Sequence, residues 1–251
     1  MTNLFVEQSH VPTIQLRPYQ NEAAERVELA RLREIQRGLI VMATGLGKTV
    51  LFADLARREH ERGGRTLVIA HRNELLEQAQ QKIQSACPSL TVDIDQGTHH
   101  ATRWSDVVVS SIASIGRADS TRLDWFDPSL VVYDECHHAA AAGAMNATRR
   151  FGCFTPGGPM YLGFTATPYR MDNKPLHGSE EAIFEEVLFN YPIKPAVTDG
   201  WLSDIRAFRA RAGYSLDGIK TTGGDYNAAQ LESRVNTDIE NYTAFSHWAD
   251  V

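Results

Sequence analysis

Cysteine, long apolar runs and excess positive charge are all scarce in this sequence, and each scarcity excludes something. The 251 residues include three cysteines, Cys87, Cys136 and Cys153, without paired spacing, so no disulfide framework is expected. A reducing compartment, the cytoplasm, fits that pattern best. The opening MTNLFVEQSH has no basic segment followed by an apolar run, so no secretory signal is expected there. Apolar runs stop at about five to seven residues, against roughly twenty needed to span a bilayer, so no membrane partner is expected. Lys and Arg number 25 against 31 Asp and Glu, a net charge of −6. Binding nucleic acid through overall basicity is therefore excluded, whereas a local phosphate-binding groove is not.

What is present is a soluble-type composition, 43% hydrophobic and 22% charged, with short β-branched runs between helical patterns. Leu39–Ala43, Thr66–Ala70, Val107–Val109, Leu130–Tyr133 and Tyr161–Phe164 read as buried strands. Their hydrophobicity is continuous rather than alternating, the mark of a parallel sheet covered on both faces. Helices are expected from Pro18 through about Gln36 with a stop at Gly38, from Lys48 to before Gly63-Gly64, and from a cap at Asn73 to about Ala86. This alternation specifies an α/β fold with a mainly parallel, doubly wound sheet. Beyond Pro168 the pattern changes. Residues 169–178 are polar and turn-rich, and Ile205–Arg211 reads as one more strand. Gly218–Asp225 reads as a flexible connection, and Ala228–Trp248 as helix.

Between the first strand and its helix lies MATGLGKT, Met42–Thr49. Small residues in this stretch let the backbone amides of Thr44, Gly45, Leu46 and Gly47 close around phosphate oxygens, aided by the helix N-terminus. Lys48 would reach the β- and γ-phosphates, and the Thr49 hydroxyl would ligate Mg²⁺. The pattern GxxxxGK followed by Ser or Thr departs only at its first position, Met42.

Directly after the run LVVY stands DECHH, Asp134–His138, whose side chains include every common metal ligand. Zinc would need four converging ligands, and adjacent residues leaving a strand point in different directions. A Cys136 nucleophile would need a base oriented by a third group, for which nothing speaks. A magnesium site fits the position. Asp134 would hold Mg²⁺ and Glu135 would orient or deprotonate the attacking water, so Lys48 and Glu135 are the candidate catalytic residues.

Taken in order, the motifs across residues 16–168 resemble the first motor lobe of superfamily 2 helicases and translocases of the DEAD/DEAH type. The resemblance is strongest to the motor subunits of restriction enzymes, the type III Res family. It implies a RecA-like P-loop NTPase lobe over residues 1–212, then a hinge and an incomplete start of a second lobe over 213–251. It implies ATP and Mg²⁺ as cofactors and nucleic acid, duplex DNA in particular, as partner. LRPYQ, Leu16–Gln20, resembles the adenine-reading element, with Gln20 pairing the base and Arg17 or Tyr19 packing on it. AHRNEL resembles the motif that holds a nucleic-acid backbone, through Arg72. Gln96, Gly97, Ser110 and Ser111 fall where such motors touch nucleic acid. TATP, Thr165–Pro168, resembles the motif linking the two sites, with His137 bridging to Thr165 or Thr167.

These motors hydrolyse ATP between two lobes, the second carrying an arginine finger in a QxxGRxxR-like motif. No such pattern follows Pro168, and Arg206, Arg209 and Arg211 are expected on a solvated strand face. The finger is worth about 10³–10⁵ in rate, so this chain alone is expected to turn over slowly and to need a second lobe, in its own polypeptide or another. The alternative is a truncated ATP-binding module that acts through interactions rather than as a motor.

Overall fold

The computed structural model describes residues 15–70, 73–169, 175–179, 182–205, 215–222, 225–238, 241–242 and 245–246. The order is α1 (Pro18–Leu32), β1 (Arg37–Met42), α2 (Lys48–Glu61), β2 (Thr66–Ala70), α3 (Asn73–Ala86), β3 (Val92–Asp95), β4 (Val107–Ser111), α4 (Ile112–Ile115), β5 (Leu130–Asp134), α5 (Ala142–Arg150), β6 (Met160–Thr165), β7 (Glu186–Tyr191) and α6 (Ile193–Thr198). Further on come β8 (Thr221–Thr222), β9 (Asp225–Tyr226) and α7 (Ala228–Val235). The chain divides into two compact units, Met1–Leu202 and Ser203–Val251.

In the first unit seven strands form one sheet in the order β3-β4-β2-β5-β6-β1-β7, and every pairing is parallel. The continuous apolar runs follow from this arrangement. Ile40, Met42, Val68, Val109, Val132 and Phe164 face one core with α1, α2 and α3. Leu39, Val41, Leu67, Val108, Val131 and Tyr161 face the other with α5. Alternate residues thus serve opposite cores, and both must be apolar. The expected doubly wound α/β sheet is the one that forms.

Two strands escaped the sequence reading. β3 (VDID) and β7 (EVLFNY) are the sheet's edges, where one side meets solvent and the apolar run thins. The first helix also ends earlier than its pattern suggests. Glu34 takes the left-handed region at φ 59°, and the Ile35 amide donates to the Ala30 carbonyl at 2.9 Å, closing a Schellman-type cap after Leu32. Gly38 is therefore already strand.

The second unit corrects one further expectation. Where Gly218–Asp225 reads as a flexible connection, the described residues form the short antiparallel pair β8–β9, which reaches Tyr226. Of the helix expected over Ala228–Trp248, α7 is capped by Asn227, whose side chain accepts from the Gln230 amide at 3.1 Å, and the described residues 238, 241–242 and 245–246 are helical as well. The expected strand Ile205–Arg211, with Arg206, Arg209 and Arg211, lies outside the described residues beyond Ile205. Among the described residues no helix is long and apolar enough to cross a membrane.

Candidate functional site

Parallel strands deliver their carboxyl ends, and the loops after them, to one edge of the sheet. The neighbours β5, β6 and β1 therefore set DECHH, TATP and MATGLGKT side by side. The loop after β1 turns sharply into α2 through two left-handed residues, Gly45 at φ 88° and Gly47 at φ 74°. A Cβ on Gly47 would also come within 2.7 Å of Gln20 Nε2, so both conformation and space require glycine there. Leu46 is buried and anchors the loop, while Thr44 and Gly45 face solvent. Lys48 and Thr49 form the first turn of α2 and are half-buried.

The start of α1 clamps this loop. Pro18 takes the first helical position, and Gln20 Oε1 accepts from the Arg17 amide at 2.9 Å. The Gln20 amide nitrogen donates to the Leu46 carbonyl at 2.9 Å and the Gly47 carbonyl at 3.2 Å, and Tyr19 Oη donates to Leu46 at 3.0 Å. Gln20 is 2% exposed. The residue read as an adenine contact thus has both amide hydrogens committed to the phosphate loop here. Arg17 is exposed, with its guanidinium 5.3 Å from the Trp201 ring. Tyr19 stacks on Tyr191 at 5.0 Å and meets Trp201 edge-on at 5.3 Å. Sequence reasoning missed Tyr191 and Trp201, which follow the last recognised motif and carry no spacing signal of their own.

Across β6, Lys48 Nζ lies 3.3 Å from Glu135 Oε1, joining the loop to the acidic pair. Asp134 ends β5 and accepts from the Glu135 amide at 3.0 Å. Burial pushes the Asp134 carboxyl above its ordinary value; nearby Lys48 opposes this and Glu135 adds to it. Glu135 sits at φ 52°, a strained left-handed position for a side chain, and Cys136–His138 form a single 3₁₀ turn. That turn aims His137 back across the site, with Nδ1 3.4 Å from Glu135 Oε2 and 3.3 Å from Thr165 Oγ1. Thr165 is fully buried, donates to the Thr167 carbonyl at 2.9 Å and accepts from the Thr167 amide at 3.0 Å. Cys136 is fully buried, and burial holds its thiol well above the usual range, so it is no thiolate nucleophile.

The nucleic-acid candidates fall into three groups. Arg72 lies outside the described residues. Gln96 and Gly97 lie on a tight turn after β3, where the Gln96 amide donates to the His99 carbonyl at 3.0 Å and the His99 amide donates to the Gln96 carbonyl at 2.8 Å. Ser110 and Ser111 are fully buried at the end of β4. Ser110 Oγ donates to the Asp95 carbonyl at 2.8 Å, and Ser111 Oγ lies 3.1 Å from Ser114 Oγ.

An all-parallel sheet with a glycine loop after β1 and an acidic pair after β5, two positions away, is the architecture of a RecA-like lobe. The family described as the type III restriction enzyme, res subunit, matches residues 13–170, and the chain belongs to that family. A Saccharomyces cerevisiae protein with the provisional name ATP-dependent helicase IRC3 is 28% identical over 234 residues, 88% of this chain and 33% of that protein. A Schizosaccharomyces pombe protein, provisionally named mitochondrial ATP-dependent helicase irc3, is 28% identical over 193 residues, 75% of this chain and 31% of that protein. The fold is shared with a nuclease-deletion mutant of the type ISP restriction-modification enzyme LlaGI, solved with a DNA substrate mimic. Its TM-score is 0.55 at 20% identity, over 74% of this chain and 20% of that one. The chain spans about a third of the length of these curated relatives.

Proposed function

We propose that this chain is the ATP-binding lobe of an ATP-dependent motor that moves along nucleic acid, duplex DNA in particular. One observation carries the reading: an amine, two adjacent carboxylates and a histidine–threonine pair meet at the carboxyl ends of β1, β5 and β6, beside a glycine loop. Residues 1–212 form the lobe in this assignment, and 213–251 the hinge and the start of a second lobe.

The residues fit ATP and Mg²⁺. Two left-handed glycines shape the loop, a helix starts directly behind it, and Asp134 is a half-buried carboxylate whose charged form desolvation disfavours, so a cation beside it would stabilise that form. When bound, the magnesium nucleotide supplies the phosphoanhydride whose cleavage drives movement. The amides of Thr44–Gly47 and the Lys48 amine would bind phosphate oxygens, and the Thr49 hydroxyl and Asp134 would hold the metal. Lys48 leaves Glu135 to do so, and this frees Glu135 Oε1 to orient water and accept its proton. His137, between Glu135 and Thr165, passes the change in Glu135 towards Thr167. Arg17 and Gln20 face the base, and Gln20 must release a loop carbonyl to pair with it.

Gln96 and Gly97 face the nucleic acid in this reading, with Ser110 and Ser111 behind them, and Arg72 keeps the backbone-binding role that its motif implies. The two serines act by shaping strand ends, since their hydroxyls are bonded internally. DNA is favoured because the type ISP enzyme of the same fold was solved with a DNA substrate mimic, and the duplex form is our reading. Full turnover needs an arginine from a second lobe, in further chain or another polypeptide. Three buried free thiols suit a reducing compartment, and the cytoplasm is our reading, although the S. pombe relative's name places that protein in mitochondria.

The test is polynucleotide-stimulated ATPase. Lys48→Ala lowers the rate by about 10²–10³, and Glu135→Gln by about 10²–10⁴, the latter with nucleotide binding kept. A rate indifferent to both substitutions would sink the assignment.

A further inference from the structure

The candidates Gln96, Gly97 and Ser110 depend on a residue that no motif includes, Arg122. Asp95 ends β3 with 2% of its surface exposed, so its carboxylate needs donors inside the fold. Arg122 Nε supplies a charge-assisted one, and the Ala101 amide another at 3.0 Å. The rest of the guanidinium fork reaches the turn. One terminal nitrogen donates to the Gly97 carbonyl at 2.9 Å, the other to the His99 carbonyl at 2.5 Å. Ser110 ties β4 to the same point through the Asp95 carbonyl, and Arg150 of α5 steadies Arg122 by donating to its carbonyl at 3.0 Å.

This bonding decides which way the turn's amides face. In a trans peptide the C=O and the following N–H point oppositely. The Gln96 carbonyl accepts from the His99 amide within the turn, and the Gly97 carbonyl accepts from Arg122. The N–H groups of Gly97 and Thr98 therefore face away from the fold. Both residues are exposed, and neither amide donates to another described residue. Successive outward amides form an anion-binding concavity.

We propose that Arg122 is a positioning residue for the nucleic-acid interface. Its guanidinium holds the Gln96–His99 turn so that the Gly97 and Thr98 amides meet a backbone phosphate, and it makes no nucleic-acid contact itself. The proposal rests on the nucleic-acid reading above. Lysine keeps the charge but has no planar fork to satisfy three acceptors at once, so Arg122→Lys separates shape from charge.

The experiment measures binding of a fluorescein-labelled duplex by anisotropy across a salt series, with affinity for a fluorescent ATP analogue on the same preparations. Arg122→Lys is expected to weaken duplex binding about tenfold or more, with the slope of log affinity against log salt unchanged and analogue affinity unchanged. Asp95→Asn, which keeps the shape but weakens the pin, gives a smaller loss in the same direction and decides the matter if Arg122→Lys fails to bind the analogue. Unchanged duplex affinity in both variants overturns the proposal. So does a salt slope smaller by about one in Arg122→Gln, a variant that removes the charge, since this would make Arg122 a phosphate contact. If the unsubstituted chain binds the analogue but no duplex, the nucleic-acid reading itself falls, and this proposal with it.

Discussion

The two ends of the carboxyl edge of the sheet treat polar groups in opposite ways. Around β1, β5 and β6 the contacts are long and shared: Lys48 to Glu135 at 3.3 Å, and His137 to Glu135 at 3.4 Å and to Thr165 at 3.3 Å. Around β3 and β4 they are close and mutually committed, with Arg122 meeting three acceptors and Ser110 closing on Asp95 at 2.8 Å. Lys48, Glu135 and His137, which must change partners during the proposed reaction, are held loosely, whereas Arg122 and Ser110, which hold a shape, are bonded fully. The first arrangement suits chemistry and the second suits presentation of backbone.

The contrast can be broken at several points. The largest effect is the loss of hydrolysis on removing Lys48 or Glu135, which should leave duplex binding by the β3–β4 edge intact. Next is Gly47→Ala. A left-handed alanine costs about 1–2 kcal/mol, and its Cβ would crowd Gln20, so Tm should fall by roughly 2–8 °C and nucleotide affinity with it. A variant as stable as the parent would show that the clamp is dispensable. Ser110→Ala leaves the buried Asp95 carbonyl without that donor and should cost about 1–2 kcal/mol in chemical denaturation, with ATP-analogue binding unchanged.

The smallest effect has the opposite sign. Asp134 has a raised carboxyl pKa in the fold, so its charged form at neutral pH opposes folding, and this penalty fades as pH falls through the raised value towards the ordinary 3.8. Asp134→Asn should therefore raise the Tm of the nucleotide-free protein at pH 7, with the gain shrinking in acid, while magnesium-dependent stabilisation by ATP disappears. A lower Tm at pH 7 would contradict the account.

Legibility in the sequence followed the same division. Continuous runs such as Leu130–Tyr133 announced their strands because two covered faces demand apolar residues at every position. The phosphate loop and DECHH were readable because their chemistry is contiguous in sequence. Edge strands β3 and β7 were hidden by their exposure, and the end of α1 by a left-handed Glu34 where a glycine would have been the signal. Arg122 was invisible for a different reason. Its three acceptors lie 23 to 27 residues away, in a segment with no periodicity to point back to it. The LRPYQ motif drew attention to Gln20, yet its partners, the Leu46 and Gly47 carbonyls, follow only from folded geometry.

The sheet order also sets a timetable for synthesis. β1 has two neighbours, β6 and β7, and Arg37 pairs with Tyr161. The strand that carries the phosphate loop therefore leaves the ribosome long before either neighbour exists, while β2 finds β4 and β5 sooner. On the growing chain, β2, β4 and β5 can assemble first, and β1 must wait unpaired until β6 emerges to insert beside it. The loop should therefore acquire its shape late in folding, and a nascent chain halted before Met160 is expected to gain no protection from ATP in limited proteolysis, whereas one released beyond Tyr191 is expected to gain it.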